Sequence, residues 1–181
     1  MFDEIGKINW AELKQANGYS GHIPEAIKGL ISDDKLDQEA SYWKLDNHVV
    51  LQGDLYQAAF YVVPFLLEIL ASKVKNGRAY TYDLLFEIAN GFALEETPCV
   101  YNGDTLPLTE ACKSAVVGGV DLYLNEVSNI SSTCRENSLE LLVSLGERAE
   151  YILINLQKIE GEETDSYFRS KLKEAIVEIS G

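Results

Sequence analysis

The segment LQGDLYQAAFYVVPFLLEILAS, residues 51–72, is the most apolar part of this 181-residue chain. Its longest uncharged apolar run covers residues 58–67, contains Pro64 and is followed by Glu68. A transmembrane helix needs about 20 consecutive apolar residues. The sequence therefore predicts that this segment is buried inside the protein and not in a bilayer.

A second copy of this pattern lies earlier in the chain. VPFLLEILAS (residues 63–72) aligns with IPEAIKGLIS (residues 23–32), with proline, leucine and serine in register and apolar residues at the pairs Ile23/Val63 and Ala26/Leu66. A period of about 40 residues built from helix pairs is typical of HEAT and armadillo repeats. The match is short, so a chance coincidence is the alternative.

Helical spacing of apolar residues dominates the rest of the chain. Pro24 suits a first helical turn, where its missing N–H costs nothing, and Gly118-Gly119 weakens or ends a later helix. The predicted helices after Pro24 cover residues 35–48, 79–89, 109 to about 123, 131–145, 147–158 and 164–179. In the first of these, the inward-facing candidates are Leu36, Ala40, Trp43 and Leu45.

We therefore predict an all-α fold, an α-solenoid of HEAT-like helix pairs with about seven to nine helices. It forms a single domain over residues 1–181, with clearer repeats in 1–91 and degenerate repeats or a cap in 109–181. Between them, residues 92–108 form a long loop without periodicity, with two prolines and an Asn-Gly-Asp turn within residues 94–107. Such a loop is either functional or a surface excursion.

The charge is strongly acidic: 29 acidic and 15 basic side chains give a formal net charge of −14. This charge repels nucleic-acid phosphates and anionic lipid headgroups, which disfavours direct nucleic-acid or membrane binding. It attracts a basic partner and speeds encounter with it. The alternative is that the charge only keeps the protein soluble.

No catalytic or metal motif is present. The three cysteines, Cys99, Cys112 and Cys134, form no CxxC, and His22 and His48 are far apart, so zinc-ligand spacing is absent. Adjacent carboxylates such as those of Glu95 and Glu96 would diverge on a helix and make poor acid–base pairs. We therefore expect a protein that is not an enzyme, with no cofactor and no metal, and free thiols in a reducing cytoplasm.

Ten tyrosines are an unusual feature, several of them beside acidic residues. Exposed tyrosine next to carboxylates suits an interface that receives lysine and arginine. The alternative, which we expect for more than half of them, is a core position with a satisfied hydroxyl.

Residues 10–72 resemble the opening of a bacterial HEAT-like repeat family. The matching motifs are WAEL (10–13), ANG (16–18), IP (23–24), LISDD (30–34), LDNH (45–48), QGDLYQA (52–58) and VPFLL (63–67). The chain departs from the pattern in extra residues between His48 and Gln52 and in a C-terminal half where the repeat fades. The resemblance implies structural roles for these motifs.

The same resemblance implies a function, because members of that family often look like immunity proteins of bacterial toxin systems, including contact-dependent growth inhibition. Others are plain interaction scaffolds. The expected partner is a cognate protein toxin, and the acidic charge favours a basic nuclease domain whose active site the protein covers. A third hypothesis is an enzyme of the phycobilin-lyase type of HEAT proteins. The sequence contains no bilin-binding constellation to support it.

For the immunity hypothesis, the candidate partner-binding residues are acidic side chains near helix-pair turns and in the long loop, with one tyrosine as a contact anchor. They are Asp33, Asp34, Asp46, Asp54, Glu95, Glu96, Tyr101 and Asp104. The alternative function is a HEAT-repeat protein-interaction scaffold or regulatory module without a toxin partner. A toxin fragment encoded next to this chain would distinguish the two.

Overall fold

A computed structural model describes residues 1–18 and 20–181; Tyr19, one of the ten tyrosines, lies outside them. The described chain is mostly helical, which confirms the all-α prediction. Its nine α-helices are α1 Ile23–Gly29, α2 Lys35–Val49, α3 Gln57–Ala71, α4 Arg78–Asn90, α5 Leu108–Val117, α6 Val120–Ser128, α7 Arg135–Ser144, α8 Ala149–Glu162 and α9 Ser166–Ser180. Two small antiparallel sheets pair β1 Val50–Leu51 with β2 Asp54–Leu55 and β3 Pro98–Tyr101 with β4 Asp104–Pro107.

The chain divides into two compact units, Met1–Val116 and Val117–Gly181. The boundary falls just before Gly118-Gly119, the pair expected to weaken or end the predicted helix of residues 109 to about 123. The helix ends there, and the chain forms two helices, α5 and α6. Residues 92–108, which we expected to separate the repeats from a cap, belong to the first unit.

In the first unit, α1 packs on α2 and α3 packs on α4, and contacts between α1 and α3 and between α2 and α4 join the two pairs. The apolar run of residues 58–67 lies in α3, and its inward side is buried as predicted. The buried residues of α3 are Ala58, Ala59, Val62, Val63, Phe65, Leu66, Ile69 and Leu70.

The two copies of the sequence repeat do not begin equivalent helices. Pro24 lies in the first turn of the seven-residue α1, whereas Pro64 lies inside the 15-residue α3. The aligned apolar positions Ile23 and Val63 are nonetheless both fully buried. The sequence match therefore identifies shared core contacts but not shared helix starts.

The inward face predicted for α2 is wrong at three of four positions. Leu45 is fully buried, but Leu36 and Trp43 have 74% and 51% of their surface exposed, and Ala40 is exposed too. The face that packs inward carries Gln38, Ser41, Leu45 and Val49. Helices α1 and α2 approach closely at Gly29 and Ser41, so both positions need small residues. A Cβ on Gly29 would lie 2.1 Å from the Ser41 Oγ.

Both sheets are hairpins closed by two-residue turns with positive φ at both central residues. These residues are Gln52 (φ 54°) and Gly53 (φ 82°) in the first, and Asn102 (φ 52°) and Gly103 (φ 92°) in the second. Such turns match the right-handed twist of the flanking strands. Thus the segment predicted as a non-periodic loop contains a β-hairpin, and its Asn-Gly pair is the sequence signal for it.

The second unit consists of the helix pairs α6–α7 and α8–α9, joined through contacts of α6 with α8 and of α7 with α9. A buried arginine ties them together. The Arg135 Nε donates to the Val127 carbonyl oxygen at 2.7 Å, its terminal nitrogen bonds the Glu163 carboxylate, and its guanidinium lies 3.6 Å from the centroid of the Phe168 ring.

Within the described residues, none of the helices combines the length and apolar character needed to cross a bilayer. All three cysteines are buried as free thiols.

Candidate partner-binding surfaces

The eight predicted partner-binding residues lie in the first unit, but the fold distributes them over separate places. Asp33 and Asp34 lie in the turn between α1 and α2. Asp34 is the N-cap of α2 and accepts a hydrogen bond from the Leu36 backbone N–H at 2.9 Å, and Asp33 accepts one from the Asn76 amide at 2.9 Å. Both side chains are exposed and also stabilise the turn.

A cleft of about 420 Å³ lies where the segment before α1, the β1–β2 hairpin and the chain after α4 come together. It has a mixed polar and apolar lining that includes Lys14, Asp54, Tyr56 and Glu95. The cleft brings together two predicted site residues that are distant in sequence, Asp54 and Glu95.

Asp54 is held in the cleft by its own chain. Its Oδ1 accepts the Leu94 backbone N–H at 2.9 Å, and its carboxylate accepts the Tyr56 hydroxyl. That hydrogen bond, with a smaller effect of burial, raises the pKa of Tyr56 above its usual value of 10.0. Asp54 therefore positions residues 92–94, which bond back to β2 through the Leu55 N–H and the Phe92 carbonyl at 2.9 Å.

Glu95 and Glu96 also have partners within the protein. The Lys14 ammonium lies 2.9 Å from the Glu95 carboxylate and lowers the pKa of that group. The Glu96 Oε2 accepts the Thr109 backbone N–H at 3.1 Å, in the first turn of α5. Both side chains remain exposed, so a cationic partner can still approach them.

Tyr101 and Asp104 face each other across the β3–β4 hairpin as a Cα pair. The Tyr101 ring contacts Phe60 edge-on, with centroids 6.4 Å apart, while Asp104 at the turn is exposed. Val100 on the same hairpin is also 67% exposed. The hairpin therefore presents an acid, a part-exposed aromatic ring and exposed apolar side chains to solvent.

Asp46 lies on a different surface, where α2 meets α4. Its charge acts on Tyr42, whose ring stacks on Tyr80 of α4 with centroids 5.1 Å apart and an interplanar angle of 27°. Tyr42 also meets Trp43 edge-on at 4.9 Å. Burial raises the pKa of Asp46 above its usual value of 3.8.

Sequence reasoning missed the aromatic part of this surface because it placed Trp43 in the core. The spacing of Leu36, Ala40 and Trp43 is that of one helix face, and so is the spacing of Gln38, Ser41 and Leu45. Hydropathy favours the first set. The partner helix α1, with Gly29 at the contact, selects the second.

The two histidines come together in space, with ring centroids 4.4 Å apart and the His48 Nδ1 2.8 Å from the Lys44 carbonyl oxygen. Across residues 1–18 and 20–181, the structure contains no group of three or more His, Cys, Asp or Glu side chains that could hold a metal ion. Burial raises the pKa of Cys112 far above its usual value of 9.0, so this thiol stays protonated.

Comparison of the chain with family models, with curated proteins and with solved structures found no match.

Proposed function

We propose that this chain is an immunity protein that binds a cognate bacterial toxin, a basic nuclease domain, and covers its active site. The observation that carries the proposal is the acidic charge of −14, displayed on a framework of helix pairs. Acidic residues outnumber basic ones in each of the two units. The sequence resemblance of residues 10–72 to HEAT-like immunity proteins supports the same function.

The packing of the helix pairs is compatible with the HEAT-like solenoid that the resemblance implies. In each unit, two helix pairs pack together, and the first helix of one pair contacts the first of the other, as do the second helices. This is the arrangement by which helical repeats bury a continuous core while leaving long surfaces for partners. In this proposal, the solenoid holds the acidic side chains in fixed positions, and these side chains recognise the partner.

Recognition works through charge and a few anchors. Long-range attraction steers a basic toxin toward the acidic protein and raises the association rate. On contact, the exposed carboxylates of Asp33, Asp34, Glu95, Glu96 and Asp104 pair with lysine and arginine of the toxin, while Tyr101 provides rigid contact area. Truncating one member of a pair that becomes buried costs about 2–5 kcal/mol.

The direct test combines this chain with the C-terminal segment encoded by the adjacent upstream open reading frame. Co-expression should restore growth of cells that the segment alone inhibits. The purified pair should associate faster at low than at physiological ionic strength, where the Debye length falls from about 30 Å to about 8 Å. Capture of a non-toxic protein instead would favour the scaffold function.

A charge-neutralising triple variant tests the role of the residues around the β3–β4 hairpin. Glu95→Gln, Glu96→Gln and Asp104→Asn keep side-chain shape and should slow association with the toxin severalfold at low salt. A matched control removes three exposed acids of the second unit, with Glu140→Gln, Glu150→Gln and Glu174→Gln. Equal association rates for both triple variants would mean that only the net charge matters and that the hairpin is not the contact.

The proposed location is the cytoplasm, where an antidote would meet an incoming toxin. The free, buried thiols suit a reducing compartment.

A further inference from the structure

Helix α2 presents an apolar stripe to solvent. Leu36, Ala40 and Trp43 follow one another at helical spacing on a single face, and 74% of Leu36 and 51% of Trp43 are exposed. Large exposed apolar side chains that form a continuous face mark interaction sites, whereas single ones need no explanation. This face is therefore a candidate docking surface.

An aromatic cluster fixes one end of the stripe. Tyr42 stacks on Tyr80 across the α2–α4 contact and meets Trp43 edge-on, so the Trp43 indole rests on a tyrosine that α4 holds in place. A supported aromatic ring loses little conformational entropy when a partner covers it. The faces of such rings attract cations, and arginine most often.

Carboxylates surround this cluster. The pKa of Tyr42 is raised to about 12, mainly by burial and further by three nearby carboxylates. These carboxylates belong to Asp46 on α2 and to Asp83 and Glu87 on α4. Within the described chain, neither Asp46 nor Glu87 takes part in an ion pair. The local potential is therefore negative, and a cation placed there would be favoured.

We propose that the surface formed by Trp43, Tyr42 and Tyr80, with the carboxylates of Asp46 and Glu87, is a docking site for an arginine-bearing segment of a protein partner. The guanidinium plane lies against the aromatic rings while its N–H groups reach the carboxylates. Planar, multiply donating arginine fits this combination better than lysine. The site deepens the proposed function, on which its assignment to a basic toxin rests.

A second copy of this chain is a poor occupant of the same surface. A twofold interface would place Asp46 and Glu87 of one copy near the identical carboxylates of the other. Like charges brought together in this way oppose association. A partner with arginine, by contrast, gains from both the rings and the carboxylates.

The test uses the full chain and a short blocked peptide of alternating glycine and arginine, compared with the same peptide carrying lysine. The chain has two tryptophans, and Trp10 is buried with its indole bonded to the Ile5 carbonyl oxygen at 2.8 Å. A saturable change in fluorescence therefore reports on Trp43. We expect the arginine peptide to bind about threefold to tenfold more tightly than the lysine peptide.

Three variants separate this site from general acidity, with affinity measured by calorimetry. Trp43→Ala should weaken arginine-peptide binding about fivefold and abolish the preference over lysine. Asp46→Asn with Glu87→Gln should weaken it by a similar factor while leaving the Trp43 signal in place. The control pair Glu140→Gln with Glu150→Gln makes the same charge change in the second unit and should leave the affinity within about twofold.

Several results would overturn the proposal. They are equal affinity for the two peptides, wild-type affinity of Trp43→Ala, equal weakening by the control pair, or a dimer in sedimentation that Trp43→Ala dissociates. The outcome is independent of the proposed function. Peptide binding without protection from any toxin would support the docking site and reject the immunity function. A toxin bound equally well by the wild-type protein and by Trp43→Ala would support the immunity function and reject this site as its contact.

Discussion

At the scale of single residues, Arg135 shows how a buried charge can organise the second unit. Its guanidinium is satisfied on one edge by the Val127 carbonyl oxygen, on another by the Glu163 carboxylate, and on one face by the Phe168 ring. The Glu163 carboxylate in turn accepts the backbone N–H groups of Thr164 and Asp165 at 2.8 Å each. Removing either Arg135 or Glu163 leaves the other buried without its counter-ion, and this is costly.

We expect Arg135→Ala to lower the free energy of unfolding by about 3–5 kcal/mol, because it leaves the buried Glu163 carboxylate without its counter-ion and opens a cavity beside Phe168. Chemical denaturation monitored by circular dichroism measures the change. As a control, Lys28→Ala breaks the exposed Lys28–Glu25 pair of α1 and should cost at most about 1 kcal/mol. Similar losses for both variants would show that the Arg135 network adds nothing beyond a surface pair.

The Glu163 carboxylate should make stability depend on pH. Hydrogen bonds from Asp165 N–H and from Arg135 lower its pKa below the usual 4.5. Its stabilisation is therefore complete above about pH 4.5 and is lost as the pH falls through the lowered folded-state pKa. Glu163→Gln should destabilise the protein by about 1–3 kcal/mol at neutral pH. In denaturation series at decreasing pH, this difference should shrink; a constant difference would mean that the charge of Glu163 is irrelevant.

At the scale of elements, close approaches between helices and turns determine how the pairs fit. Gly77, between α3 and α4, has φ +69° and packs against the end of α1: a Cβ there would lie 1.9 Å from the Leu30 carbonyl oxygen. The Gly77 carbonyl accepts both the N–H and the hydroxyl of Thr81 at 2.9 Å, which fixes the first turn of α4. This turn has no room to adjust.

Gly77→Ala should therefore be much more destabilising than the matched change Gly53→Ala. Gly53 also has a positive φ, of +82°, but nothing lies within 4 Å of its added Cβ. Both variants lose stability because alanine disfavours the left-handed conformation, and only Gly77→Ala adds a backbone clash. We expect Gly77→Ala to lose about 2 kcal/mol more in thermal or chemical unfolding. Equal losses would show that conformation alone explains the glycine at position 77.

At the scale of the whole molecule, the net charge of −14 remains after the ion pairs within the protein are counted. Surface ion pairs such as Lys7–Glu4 and Lys28–Glu25 join residues close in the chain, and Lys14–Glu95 joins two distant segments. These pairs neutralise few of the 29 acidic side chains. The remaining carboxylates repel one another in the folded state. This repulsion is what a basic partner relieves on binding.

Screening that repulsion should stabilise the protein. We expect the melting temperature Tm at neutral pH to rise by about 2–4 °C, equivalent to about 1 kcal/mol, when sodium chloride is raised from a low to a physiological concentration. Scanning calorimetry at several salt concentrations measures the effect. A Tm that falls with salt would mean that local ion pairs, and not the net repulsion, dominate the electrostatics of the folded state.

Much of the helical framework follows from the sequence alone. The periodicity and capping of residues 35–48 and 79–89 predict α2 and α4 to within one residue at each end, and the apolar run around Pro64 predicts the buried α3. These properties are local, because helix starts, stops and periodicity depend on residues within a few positions of one another. The net charge, which motivates the search for a basic partner, is a property of composition.

Only the tertiary structure decided which side of α2 faces solvent. Two sets of residues on α2 have helical spacing, and the Gly29–Ser41 approach to α1 selects the more polar set for the interior, leaving Trp43 outside. It likewise gathered Asp54 and Glu95 into one cleft and brought Tyr80 onto Tyr42. Each of these depends on contacts between segments far apart in sequence, and their energies decide between alternatives that local pattern leaves equal.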